Sequence, residues 1–259
     1  MRRALVTGAG QRLGRAMALY LGQRGFDVAV HFATSESGAK ATVGEIAAMG
    51  RRAVALQADL LDDTAAAALL PRAADALGGP VTCLVNNASI FEQDDIASAT
   101  RESWDRHMGS NLRAPFVLTQ AMAGQGLTSD TDAGGEPRAS GLIVNMLDQR
   151  VRNLTPEFTT YTIAKMGLWA MTRTSAQALA PAIRVNGIGP GPTLQGPHQD
   201  PDDFAVQRRG TVLGRGANPE DITAALGYFI DSPGVTGQLI CTDGGEHLQW
   251  ETSPKSPRN

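Results

Sequence analysis

Tyr161 and Lys165 stand four residues apart in the stretch Tyr-Thr-Ile-Ala-Lys, a spacing that puts a phenol and an ammonium one turn apart on one face of a helix. A cation so placed favours the phenolate and brings an acid/base group toward working pH. Alone the pair reads as an ordinary surface pair. Its company gives it chemistry: Thr7-Gly8-Ala9-Gly10-Gln11-Arg12-Leu13-Gly14 lies where an apolar run gives way to an amphipathic segment, and Asn86-Asn87-Ala88 and Asn111 follow. A glycine-rich turn between strand and helix is where backbone N–H groups and the positive helix end hold a pyrophosphate. The spacing is not G-x-G-x-x-G, and Arg12 stands where such a loop usually has a glycine.

A second feature narrows the nucleotide. After the second apolar run come His31-Phe32-Ala33-Thr34-Ser35, with no acidic residue before Glu36. An NAD site places a carboxylate here for the ribose 2′-hydroxyl. Without it nothing repels a 2′-phosphate, to which Arg12, His31, Thr34 and Ser35 can offer charge and hydrogen bonds, so NADPH is the expected cofactor. The competing reading of Arg12 is a surface cap or salt bridge.

These residues need a parallel sheet to bring them together. Short apolar runs at 4–6, 27–31, 53–57, 82–85, 142–145, 183–186 and 238–241 alternate with helix-length amphipathic segments. Such alternation predicts a doubly wound, seven-stranded parallel α/β sheet with the chemistry at its carboxyl edge. The first helix is expected over 13–24, where Leu13, Met17 and Leu21 recur at helical spacing and Gly25 stops it. Two stretches break the pattern, an exposed excursion at 124–140 and a Pro/Gly-rich segment at 189–216 long enough to be a lid. No linker splits the chain, so one domain over 1–250 is expected, with a polar, disordered tail at 251–259.

Composition removes other classes. The chain has 259 residues, 42% hydrophobic and 19% charged, with a net charge of -3, which gives no basic footprint for nucleic acid or an anionic membrane. No apolar stretch is long enough to span a bilayer, and a cytoplasmic location is expected. Cys83 and Cys241 sit in apolar runs and read as small core residues, and the histidines at 31, 107, 198 and 247 lack ligand spacing, so no metal is inferred.

Taken together, Thr7 to Gly14, Asp59, Asn86-Asn87-Ala88, Asn111, Tyr161 with Lys165, Pro190-Gly191 and Asp243-Gly244-Gly245 resemble the short-chain dehydrogenase/reductase family from Ala4 to Gly245. The resemblance implies a Rossmann-like fold, a homotetramer and an NAD(P)-dependent oxidoreductase acting on a small molecule. Within it Tyr161 donates the proton, Lys165 holds the nicotinamide ribose and lowers the tyrosine pKa, and Asn111 supports a water relay. Gly8, Arg12, Leu13, Gly14, His31, Ser35, Asp59, Asn87, Ala88, Ser89, Pro190 and Gly191 would join Tyr161 and Lys165 around the cofactor.

One departure from the family pattern bears on the substrate. Thirteen residues before the tyrosine most members carry serine, and this chain has Asp148. A serine hydroxyl donates to a ketone oxygen; an ionised carboxylate cannot, and repels the developing oxyanion. Asp148, with Arg12 and Asn87-Ala88-Ser89-Ile90-Phe91, resembles the pteridine reductase branch. There the Arg, Ser and Phe positions contact cofactor and pterin, so Arg12, Ser89, Phe91, Asp148 and Tyr161 are the expected substrate residues. The alternatives are that Phe91 packs a loop and Asp148 caps a helix or loop, that the enzyme is a carbonyl or 3-oxoacyl reductase, or that the protein is a non-catalytic dinucleotide-binding regulator.

Overall fold

Alternate residues of each apolar run feed opposite faces of one sheet. In β1 (Arg3–Val6) Ala4 and Val6 enter one core, and Leu5 enters the other. The same division holds in β2 (Asp27–Phe32), β4 (Cys83–Asn86) and β7 (Gly141–Met146), and it is the pattern of a sheet covered by helices on both faces. The structure, a computed structural model, describes residues 2–196 and 199–249. With β3 (Ala53–Gln57), β8 (Ile183–Pro190) and β9 (Leu239–Thr242) the strands form a seven-stranded sheet in the order β3-β2-β1-β4-β7-β8-β9, every pair parallel. The chain is a single Rossmann-like domain, as the alternation predicts.

Helices α1 (Arg12–Gln23), α2 (Glu36–Ala48) and α8 (Pro219–Asp231) cover one face with Met17, Leu21, Ile46 and Phe229. On the other face α3 (Asp63–Leu77) and α5 (Ala114–Ala123) contribute Leu69, Leu70, Leu118 and Met122. Between α4 (Arg101–Met108) and α5 the chain widens into a π turn at Gly109–Arg113, a device common at functional sites. Helix α6 (Thr159–Ala178) follows β7 after a short 3₁₀ turn, Gln149–Val151.

The expected strands recur within one residue at each end, save one that is lengthened by four. The run at 183–186 continues to Pro190, because Gly187–Pro190 pairs with β9. Its Gly-Ile-Gly-Pro sequence suits a close approach: a Cβ on Gly189 would lie 3.3 Å from the backbone of Asp148, a tight contact. The excursion at 124–140 carries an exposed hairpin, β5 (Asp130–Thr131) with β6 (Pro137–Arg138). The stretch 189–216 holds the end of β8 and a helix, α7 (Pro201–Arg209). The expected tail at 251–259, and His198, lie outside the described residues. Cys83 is buried in the core as expected, Cys241 is only half-buried, and both are free thiols; no described helix is long and apolar enough to cross a membrane.

Candidate active site

The strand order reverses between β1 and β4, and such a switch point opens a crevice at the carboxyl ends of the strands. Thr7 closes its floor: its N–H donates to the Val85 carbonyl at 3.0 Å, and its hydroxyl accepts from the N–H groups of Asn87 and Ala88 at 2.8 and 2.9 Å. Asn87 Nδ2 donates to the Thr7 carbonyl at 2.8 Å, so that side chain holds the glycine loop from below. A Cβ on Gly14 would meet the Gly8 carbonyl at 2.2 Å, which explains the glycine there. Above the loop, α1 begins at Gln11 with no capping side chain and no acid in its first turn. Its end N–H groups are therefore open to an anion. Ser35 begins α2 without using its hydroxyl as a cap and packs against Gly10, whose Cβ would sit 2.5 Å from Ser35 Oγ. Asp59 accepts the Leu61 N–H at 2.9 Å just beyond β3. The cradle thus fits a dinucleotide.

His31 corrects an expectation. It is 1% exposed, its Nδ1 accepts the Gly8 N–H at 3.0 Å and its Nε2 therefore donates to the Ala58 carbonyl at 3.1 Å. Burial pushes its pKa down to about 4. The ring is neutral and committed to backbone at both nitrogens, so it offers no charge to a phosphate; it fixes the glycine loop instead. Arg12 is also placed differently from a plain loop residue. It takes φ 52° and donates to the carbonyls of Gln195 and Leu194 at 2.8 and 3.0 Å, tying the cofactor loop to the segment over it.

At the far side of the crevice, Tyr161 Oη donates to Asp148 Oδ2 at 2.9 Å. Asp148 Oδ1 accepts the Arg150 N–H at 2.8 Å, so the carboxyl caps the 3₁₀ turn and holds the phenol at once. Burial raises the Asp148 carboxyl above the usual range, opposed by Arg150, Tyr161 and Lys165. Burial and then Asp148 push the Tyr161 phenol well up, with Ser89 hydrogen bonding acting the other way. Lys165 is buried, donates from Nζ to the Met146 carbonyl at 2.7 Å and lies 5.5 Å from the Tyr161 ring centroid. Burial lowers its pKa to about 8. The expectation that Lys165 pulls the phenol down is corrected here: its ammonium faces a carbonyl and the ring, and desolvation beside a carboxyl dominates the phenol.

Phe91 is 55% exposed, stacks on Phe158 at 4.3 Å and 9°, and meets Tyr161 edge-on at 4.8 Å. It is both a packed loop residue and an open aromatic surface beside the phenol. Asn111 gives its amide to Ile90, accepting its N–H at 2.9 Å and donating to its carbonyl at 2.8 Å; this fixes the segment that carries Phe91. Pro190 ends β8, and the Gly191 N–H donates to the Thr242 carbonyl at 3.2 Å. Sequence reasoning missed Phe158 and Glu246. Phe158 takes φ 58° just before α6, which no motif announces. Glu246 brings a second carboxyl toward Asp148, its pKa raised by burial and by that neighbour among others.

The model of the short chain dehydrogenase family matches residues 2–201. A solved structure of FolM alternative dihydrofolate reductase 1 from Brucella canis, complexed with NADP, is 40% identical and superposes with a TM-score of 0.89, covering 98% of this chain and 97% of that one. The angucycline C-6 ketoreductase LanV with bound NADP is 29% identical, with a TM-score of 0.85 and 96% of each chain covered. The 3-oxoacyl-[acyl-carrier-protein] reductase FabG of Staphylococcus epidermidis is 30% identical over 250 residues, 95% of this chain and 98% of that protein. A glycine cradle at the switch point, a buried Tyr161–Lys165 pair on α6 and a family match over most of the length have one common account: the chain belongs to the short-chain dehydrogenase family.

Proposed function

We propose that the protein is an NADPH-dependent reductase of a pterin or a similar flat, nitrogen-rich heterocycle. The observation that carries this reading is the Tyr161–Asp148 hydrogen bond of 2.9 Å. A ketone reductase needs two donors at the carbonyl oxygen, and here the second position holds a carboxyl that accepts the phenol's own hydrogen bond. A C=N bond instead needs a proton delivered to nitrogen, and an N–H-bearing ring finds an acceptor in Asp148. Likeness to an alternative dihydrofolate reductase supports the substrate class.

Gly8, Leu13 and Gly14 with the first turn of α1 would hold the pyrophosphate, and Thr34 and Ser35 the 2′-phosphate. Arg12 would close over it, and Asp59 would face the adenine. Asn87, Ala88 and Ser89, Lys165, Pro190 and Gly191 would frame the nicotinamide half. When bound, NADPH supplies the hydride. Phe91 offers a stacking face that orients a planar ring and keeps water from it. Tyr161 and Asp148 pass a proton to the ring nitrogen, and Asp148 is reset from solvent. Asn111 keeps Phe91 in register through Ile90. A cytoplasmic homotetramer is the assembly proposed, supported by exposed Phe116 and Met166 on α5 and α6.

The decisive experiment measures NADPH oxidation with a 7,8-dihydropterin, with dihydrofolate and with a 3-oxoacyl thioester, alongside NADH. The expected result is turnover of the first two and preference for NADPH. Efficient 3-oxoacyl reduction with no turnover of either heterocycle would replace the substrate assignment by the ketone reading that FabG and LanV support.

A further inference from the structure

We infer that His107 is a positioning residue that fixes both walls of the substrate cleft, the segment carrying Phe91 and the helical turn carrying Tyr161. The inference rests on the cleft assigned above. His107 comes from the last turn of α4 and is completely buried. Its Nε2 accepts the Glu92 N–H at 3.2 Å, so that nitrogen carries no proton in the neutral ring. The proton is then on Nδ1, which donates to Thr160 Oγ1 at 2.7 Å. The Thr160 hydroxyl in turn donates to Asp94 Oδ2. Asp94 Oδ1 accepts the Thr160 N–H at 3.2 Å, Ser103 donates to Oδ2 at 3.1 Å, and the Asp94 carbonyl accepts the Phe158 N–H at 2.7 Å. From the Glu92 N–H through His107 and Thr160 to Asp94 each group donates to the next, the imidazole accepting at Nε2 and donating at Nδ1.

Its members come from three elements. Glu92 and Asp94 lie on the β4–α4 connection directly after Phe91, His107 lies on α4, and Phe158 and Thr160 start α6 directly before Tyr161. The imidazole also packs edge-on to the Tyr161 ring at 5.9 Å and 74°. Phe91 and Phe158, the stacked pair, are therefore each one or two residues from a backbone N–H that this network holds. An apolar side chain of similar size at position 107 would fill the space and leave the Glu92 N–H without its partner, at a cost on the scale of a lost buried hydrogen bond.

The charged groups facing the ring are Asp94 and Glu92 on the connection and Arg106 on its own helix, with the Tyr161 phenol on α6. Burial lowers the pKa of His107, opposed by Asp94 and Glu92. Protonation would set an N–H at Nε2 against the Glu92 N–H, so acid should loosen the Phe91 wall first.

The test uses the full chain with NADPH and compares His107→Leu, His107→Gln, Thr160→Val and Thr160→Ser. His107→Leu and Thr160→Val are expected to raise substrate KM about tenfold, with smaller changes in kcat. NADPH affinity, read by its fluorescence, should stay at the wild-type value. His107→Gln, whose amide can both accept and donate, and Thr160→Ser, which keeps the hydroxyl, should recover most of the loss. Wild-type KM should rise as pH falls below the ordinary imidazole range, because burial lowers the His107 pKa, and this rise should be absent in His107→Gln. If His107→Leu does not fold, the two Thr160 variants carry the comparison. Lowered melting temperature with KM within about twofold of wild type, or equal losses in substrate and NADPH affinity, would overturn the inference. All readings are repeated on a 3-oxoacyl thioester: turnover of that compound alone would remove the pterin assignment, while the KM shift on it would still decide the role of His107.

Discussion

The Tyr161 hydroxyl donates to Asp148, and burial raises both groups: it keeps the phenol protonated and makes the carboxyl a better proton acceptor than one in water. Replacing Asp148 by Ser is expected to lower dihydropterin reduction while keeping or raising activity on simple ketones, whose oxygen then finds a donor. Asp148→Asn should also fail with the pterin, because an amide cannot relay the proton. Steady-state rates on both substrate classes check this, and pterin turnover surviving both changes would remove Asp148 from the chemistry. Tyr161→Phe keeps the ring against Phe91 and His107 and deletes only the hydroxyl. It should cost about 10²-fold or more in kcat with NADPH binding unchanged, as fluorescence titration would show.

At the scale of elements, among the described residues Arg12 and Phe158 are the two non-glycines at positive φ, and each stands where a site loop enters a helix. Such a backbone conformation costs about 1–2 kcal/mol for an L-residue and persists only when its surroundings hold it. For Arg12 the holding group is its own guanidinium on the carbonyls of Leu194 and Gln195. Arg12→Gly should therefore leave the melting temperature unchanged or slightly higher, since glycine takes this φ freely. The same change should free the segment around residues 194–196, seen as faster limited proteolysis there and a weaker NADPH affinity. A drop in melting temperature with unchanged proteolysis would place the importance of Arg12 elsewhere.

For the whole molecule, His31 couples the cofactor loop to global stability. Its pKa of about 4 in the folded chain lies below the ordinary 6.5, so the unfolded chain takes up a proton first as pH falls. The stability this neutral ring contributes is complete above about pH 6.5 and is lost as pH falls toward 4, to the extent of about 3 kcal/mol. Wild-type melting temperature should fall over that window more steeply than that of His31→Asn. Equal slopes would mean that other groups set the acid limb. A second buried polar chain, Asn86 Nδ2 to Asn145 at 2.8 Å and Asn145 Nδ2 to Thr172 at 2.9 Å, pins β4, β7 and α6 together across the middle of the sheet. It sets the height at which α6 presents Tyr161 and Lys165.

The sequence by itself determined the parallel sheet, because alternating short apolar runs and amphipathic segments have few other ways to bury both faces. It also placed the glycine loop and the Tyr161–Lys165 spacing, which depend on local periodicity alone. Tertiary structure decided the rest. Whether His31 carries charge depends on burial and on which backbone groups meet its nitrogens, and both come from residues more than twenty positions away. The phenol is raised rather than lowered because it is buried and because Asp148, just beyond β7, accepts its hydrogen bond, relations that spacing along α6 does not contain. His107, which had no motif to mark it, acquired its partners only when the β4–α4 connection and the start of α6 closed on it. Periodicity is a property of neighbours along the chain, whereas protonation and hydrogen-bond partnership belong to neighbours in space.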